Sequence, residues 1–143
     1  MKTLDKNSFI LIISFLLVVY ITIYYNRVTV FYDPLIKKIR NDLINIDPRA
    51  SLLVFKASDE SFTEDKRIVY LCLRDHNGRY YDYNMIMYVA IHELAHAFSP
   101  TIDFNHTSKE FKENFSHLLT RAQQLGLYDP NKPLDYAYCP AKF

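Results

Sequence analysis

Residues 91–98 read IHELAHAF, and the spacing inside that stretch restricts the chain more than any other feature. Only an α-helix sets His92 and His96 one turn apart on one face, with Glu93 about a quarter turn from His92. Two imidazoles so placed aim at a single point, as one metal ion requires, and such a site needs a further ligand from elsewhere in the chain. The fold must therefore hold one helix firmly and bring another segment back across it. With five histidines and five glutamates in the chain, composition arithmetic puts a chance H-E-x-x-H at less than about one in a hundred.

The expected metal is zinc, one ion per chain, with His92 and His96 as two ligands. Zinc lowers the pKa of a bound water to about 7 and polarises a carbonyl, chemistry that hydrolyses amide bonds. Glu93 can hold that water and take its proton, the role of a general base. His106 is the expected third ligand. It stands just ahead of Thr107 and Glu110, whose T-x-x-E form would cap a last helix and fix the backbone there. Asp103, Glu110, Glu113 and His117 are the alternatives. An oxyanion stabiliser is also required, and Tyr136, Tyr138, Arg74 or His117 could serve.

Composition narrows the rest. A length of 143 residues bounds the chain to one folded domain. Seventeen basic against 16 acidic residues, a net charge of +1, provide no basic footprint for nucleic acid. Cys72 and Cys139 are too few and too distant in sequence to suggest a disulfide framework, and are expected as one core thiol and one tail thiol. Residues 9–25, FILIISFLLVVYITIYY, carry no charge and lack small residues at their end for cleavage. They are expected to form an uncleaved single-pass membrane anchor, with residues 1–27 as anchor and 28–143 as the folded domain.

Along that domain, residues 33–46 place Leu35, Ile36, Ile39, Leu43 and Ile46 at helical spacing. Residues 51–57 read as a strand, 58–66 as a polar loop and RIVYLCLRD as a second strand with even claims to an edge or an interior place. Asn77-Gly78 signals a hairpin, and Asp75 with His76 is a solvated turn. Asn84 can cap a helix through the histidine motif that ends at Ser99-Pro100. A last helix buries Phe111, Phe115, Leu118, Leu119, Ala122 and Leu125 and stops at Gly126. The expected fold class is α+β: a transmembrane helix, then a minimal domain of one helix, a small, mostly antiparallel sheet, the motif helix and a C-terminal helix.

From about Asp33 onward the chain resembles the small zincin metallopeptidases of the WLM and SprT (Spartan-like) group, above all compact peptidases of large DNA viruses. The resemblance rests on YLCLRD, the N-G turn, MYVAIHELAHAFSP, HTSKEF and LGLYDP. It implies a zincin fold, His92, His96 and His106 as zinc ligands, Glu93 as general base, and protein or peptide substrates, sometimes proteins crosslinked to DNA. The chain is expected to be without the appended DNA-binding and modifier-binding regions of the better-studied members, and no H-x-x-G-x-x-H follows Glu93, which separates it from metzincins. The expected activity is zinc-dependent peptide hydrolysis at a membrane. The alternative is a catalytically silent zincin-fold module that binds a protein partner at a membrane.

Overall fold

The computed structural model describes residues 6–31, 33–101, 106–135 and 137–139, and in the first helix the side chains of 8–24. The chain divides into two units, Met1–Tyr32 and Asp33–Phe143. The first is a helix, α1 (Lys6–Phe31), whose apolar side chains are exposed, Leu11 at 70% and Phe15 at 68% among them. No helix is long and apolar enough to cross a membrane among the described residues, which corrects the expected anchor at 9–25. A helix rising about 1.5 Å per residue covers only about 25 Å over that run, short of a hydrocarbon core of about 30 Å. Polar Ser8 and Asn26 cannot extend it.

The second unit is α+β. Its first helix, α2 (Pro34–Ile46), starts where the Asp33 carboxylate accepts from Leu35 N at 2.9 Å and Pro34 takes a first-turn place. Ile36, Ile39, Leu43 and Ile46 form its buried stripe. Asp47 ends it, because a residue before proline leaves the helical region. A 3₁₀ turn, Pro48–Leu52, follows and delays the first strand, β1, to Val54–Ser58.

The sheet has three strands in the order β1-β3-β2, with β2 at Phe62–Glu64 and β3 at Ile68–Cys72. Strand β1 pairs parallel to β3, and β2 pairs antiparallel. The sheet is thus mixed rather than mostly antiparallel. The stretch 58–66, expected as loop, contains β2, and this short edge strand turns the chain so that β3 re-enters alongside β1 in the same direction. RIVYLCLRD accordingly lies in the middle, with Val69 and Leu71 fully buried. The Asn77-Gly78 turn forms, with Gly78 at φ 77, but its arms make a single bridge, Arg74 to Tyr80, rather than two strands.

Asp65 and Lys66 connect β2 to β3, with φ of 49 and 55 and Arg67 N donating to Glu64 O at 3.0 Å. With Arg67 they make a three-residue connection, since Glu64 pairs with Ile68, and a left-handed lysine costs about 1 kcal/mol or more.

Helix α3 (Tyr83–Phe98) is buried over most of its circumference, from Met85, Ile86 and Met87 through Ile91, Leu94 and Ala95. A helix apolar all round belongs in the centre, and α3 contacts α2, β2, β3 and α4 (Lys109–Gln124). Its N-cap is Asp82, not Asn84. The Asn84 side chain instead clasps the tail, donating to Asp129 O at 3.1 Å and accepting from Asp129 N at 2.7 Å.

Helix α4 is capped by Ser108, which accepts from Phe111 N at 3.2 Å. The expected Thr107 cap is displaced by one residue because the neighbouring serine is equally able to cap. Gly126, at φ 68, ends α4, with Leu127 N donating to Ala122 O at 2.9 Å. The tail then returns to the sheet, where Tyr138 is buried and its hydroxyl meets Cys72 O and lies 3.2 Å from Ser61 Oγ. Cys139 is disulfide-bonded to Cys72, with Cα atoms 6.4 Å apart. Both cysteines were expected as thiols; a separation of 67 residues in sequence says nothing about proximity once the tail folds back.

Candidate metal centre

The motif helix carries its two histidines on the side that faces α4 and the segment before it. The Nε2 atom of His92 lies 3.2 Å from that of His96 and 3.2 Å from that of His106, and the latter two are 3.0 Å apart. The ring centroids are wider apart, at 4.8 to 4.9 Å. The rings therefore radiate outward from a shared point at which their Nε2 atoms aim. Hydrogen bonding explains such a triangle poorly, because an N–H lying in its ring plane and aimed at the centre is aligned with neither neighbour. Three nitrogens on a tetrahedral ion at about 2.0 Å are separated by about 3.3 Å, so the donor set fits zinc.

These three residues are the one group able to hold a metal ion among the described residues. His92 is 8% exposed, and burial, followed by the charges of His96 and His106, lowers its pKa to about 3. It is held in the neutral form that a metal ligand needs. His106 reaches the site from a left-handed backbone, φ 55, a conformation that histidine tolerates better than most residues. Phe111 packs against all three imidazoles, nearly stacked on His96 at 4.4 Å and near edge-on to His92 at 5.1 Å. Phe115 lies edge-on to His92 at 5.2 Å. The first turns of α4 thus form an apolar wall that fixes ring orientation.

Glu93 is 5% exposed and faces the sheet. Thr63 Oγ1, on β2, lies 2.8 Å from its Oε2 and 2.9 Å from its backbone carbonyl. Burial raises the carboxyl to about 7, against the lowering influence of the Thr63 hydrogen bond. Behind the site, the Lys66 ammonium donates to the carbonyls of His96, at 2.9 Å, Ser99 and Thr101, at 3.0 Å. Asn114 Nδ2 donates to Ser99 Oγ at 3.0 Å, joining the end of α3 to α4.

The described alternatives to His106 are not part of this triangle. The Glu110 carboxylate accepts from Thr101 Oγ1 at 3.1 Å. Glu113 and His117 line an open groove along α4 with Thr107, Lys109 and Lys112, and Asp103 is outside the described residues. Of the oxyanion candidates, Arg74 is engaged by Asp33 at 3.1 Å and by the Tyr80 ring. The Tyr138 hydroxyl is committed to Cys72 O and Ser61, and Tyr136 is outside the described residues. Thr63 and Lys66 escaped the sequence reading because both sit in a polar stretch. Its one hint was the alternation Phe62-Thr63-Glu64, too short to mark a strand.

No family model matches the chain, and no solved structure matches it. Over 85 residues the chain is 41% identical to an uncharacterized protein of Invertebrate iridescent virus 6, covering 57% of this chain and 46% of that protein. It is 45% identical over 85 residues to an uncharacterized protein of Invertebrate iridescent virus 3, covering 56% and 49%. A third similarity, 41% over 85 residues, is to an uncharacterized protein of Acanthamoeba polyphaga mimivirus, covering 58% and 40%. The chain spans about half the length, or less, of the curated relatives it matches.

Proposed function

We propose that this chain is a zinc-dependent metallopeptidase of the WLM/SprT-like zincin type, cleaving peptide bonds of protein or peptide substrates with one zinc ion per chain. The observation that carries the reading is the convergence of three Nε2 atoms within 3.0 to 3.2 Å, with a buried glutamate next in the chain to one of them. His92, His96 and His106 would hold the ion. When bound there, zinc supplies Lewis acidity and a water whose pKa is near 7.

The chain's own contribution is proton handling and orientation. The Glu93 carboxylate takes a proton from the water as its oxygen bonds to the scissile carbonyl carbon, and returns a proton to the departing amine as the C–N bond breaks. Burial brings that carboxyl toward neutrality, which suits a group that must accept and release a proton near pH 7. Thr63 fixes the rotamer of Glu93, while Phe111 and Phe115 keep the imidazole rings from turning. Glu93 also favours catalysis over a silent metal-holding module, because three nitrogens already complete the protein ligand set and holding the ion does not call for a buried carboxylate next in the chain to a ligand.

The test compares the full chain with Glu93→Gln for zinc content and for hydrolysis of a broad peptide library. We expect one zinc in both and a rate loss of at least about a hundredfold in the variant. A zinc-loaded parent that cleaves nothing, or a variant as active as the parent, would sink the reading.

A further inference from the structure

We propose that Lys66 is a positioning residue of the metal centre, gripping the end of α3 so that His96 and the approach to His106 keep their places. The inference deepens the reading above and rests on its metal-binding half. Asp65 and Lys66 are the central residues of the β2–β3 turn, both left-handed, where glycine or asparagine would sit with less strain. Nothing local favours lysine at such a position. Its reason lies at the far end of the side chain.

The ammonium has three N–H donors, and three carbonyls receive them: His96, Ser99 and Thr101. The first two belong to the end of α3, where carbonyls lack partners within the helix and the negative end of its dipole favours a cation. Thr101 lies past the helix, on the way to His106. One ammonium therefore bridges the joint between two of the three converging imidazoles. Thr63, on the strand leading into the same turn, meets Glu93, so a single hairpin grips the motif helix at two of its three chemically active residues, Glu93 and His96.

Three full-length variants test this. Lys66→Met removes the ammonium at similar length, Lys66→Gly removes it while relieving the turn, and Lys66→Arg keeps a cation. Each is titrated with Zn²⁺ against a chelator and with Co²⁺, whose visible absorption reports ligand geometry. We expect the Met and Gly variants to lose about 10- to 100-fold in zinc affinity, the range for lost outer-shell partners, with altered Co²⁺ bands. Arg should restore most of the affinity. Glycine is the decisive substitution, since a lysine that only shaped the turn would leave Lys66→Gly equal to the parent or better. In metal-free protein, amide exchange at Ser99 and His106 should quicken in the Met and Gly variants and stay unchanged in β1. Parent-like affinity and exchange in both variants would overturn the proposal. A parent that takes up neither metal would instead overturn the metal reading, and the exchange comparison would still decide the grip of Lys66.

Discussion

Thr63 and Glu93, thirty residues apart in sequence, meet at 2.8 Å between hydroxyl and carboxylate across the contact of β2 with α3. A hydrogen bond to a charged, buried group is worth about 1.5–3 kcal/mol, and this one opposes the burial that drives the carboxyl upward. Thr63→Val keeps the shape and removes the donor. The Glu93 carboxyl of metal-free protein should then titrate at higher pH by NMR, and peptide turnover should fall about tenfold or more from lost orientation. Thr63→Ser, which restores the hydroxyl, should recover both. Equal titration and turnover in the Val and Ser variants would show that the hydroxyl is idle.

Metal-free stability should carry the mark of Glu93. Its folded pKa is raised from 4.5 to about 7, so its contribution is fully present below pH 4.5 and is lost as pH rises through about 7. His92 works in the opposite direction: lowered from 6.5 to about 3, it contributes stability above 6.5 that is lost as pH falls. The two slopes oppose each other in the parent, so the difference from Glu93→Gln isolates the carboxyl. Urea midpoints of chelator-treated protein should show the variant gaining on the parent between about pH 4.5 and 7. A constant difference across that window would contradict the burial assigned to Glu93.

The third ligand is tested by deletion of single side chains. His106→Ala should lower zinc affinity more than about a hundredfold, leaving far-UV circular dichroism close to the parent, because His106 lies outside the helices and strands. His117→Ala and Glu110→Ala should bind as the parent does, since neither residue joins the triangle. Loss of zinc in either of those, with retention in His106→Ala, would reassign the site.

The helices were largely legible in the sequence and the sheet only in part. Ile36, Ile39 and Leu43 keep helical spacing, and the period of α4 marks Phe111 and Phe115 as inward-facing without saying that histidine rings would be their neighbours. Strand β2 was illegible because an edge strand of three residues, one face polar, has no periodicity to read. The mixed pairing follows from that missing strand. The uncharged run at 9–25 reads as a span by composition, yet its length falls short once polar flanks are excluded. The spacing of His92, Glu93 and His96 around the helix follows from helix geometry alone. The place of His106 depends on a loop, and local spacing left five choices open.

Cys72 and Cys139 close a circuit of chain that contains α3, His106 and the whole of α4. All three converging imidazoles belong to that ring. A single backbone cut anywhere between residues 73 and 138 therefore leaves them on one molecule, held together through sulfur, and two separate pieces appear only after reduction. For a chain exposed to proteolysis, the covalent topology means that a first nick does not by itself part the three histidines.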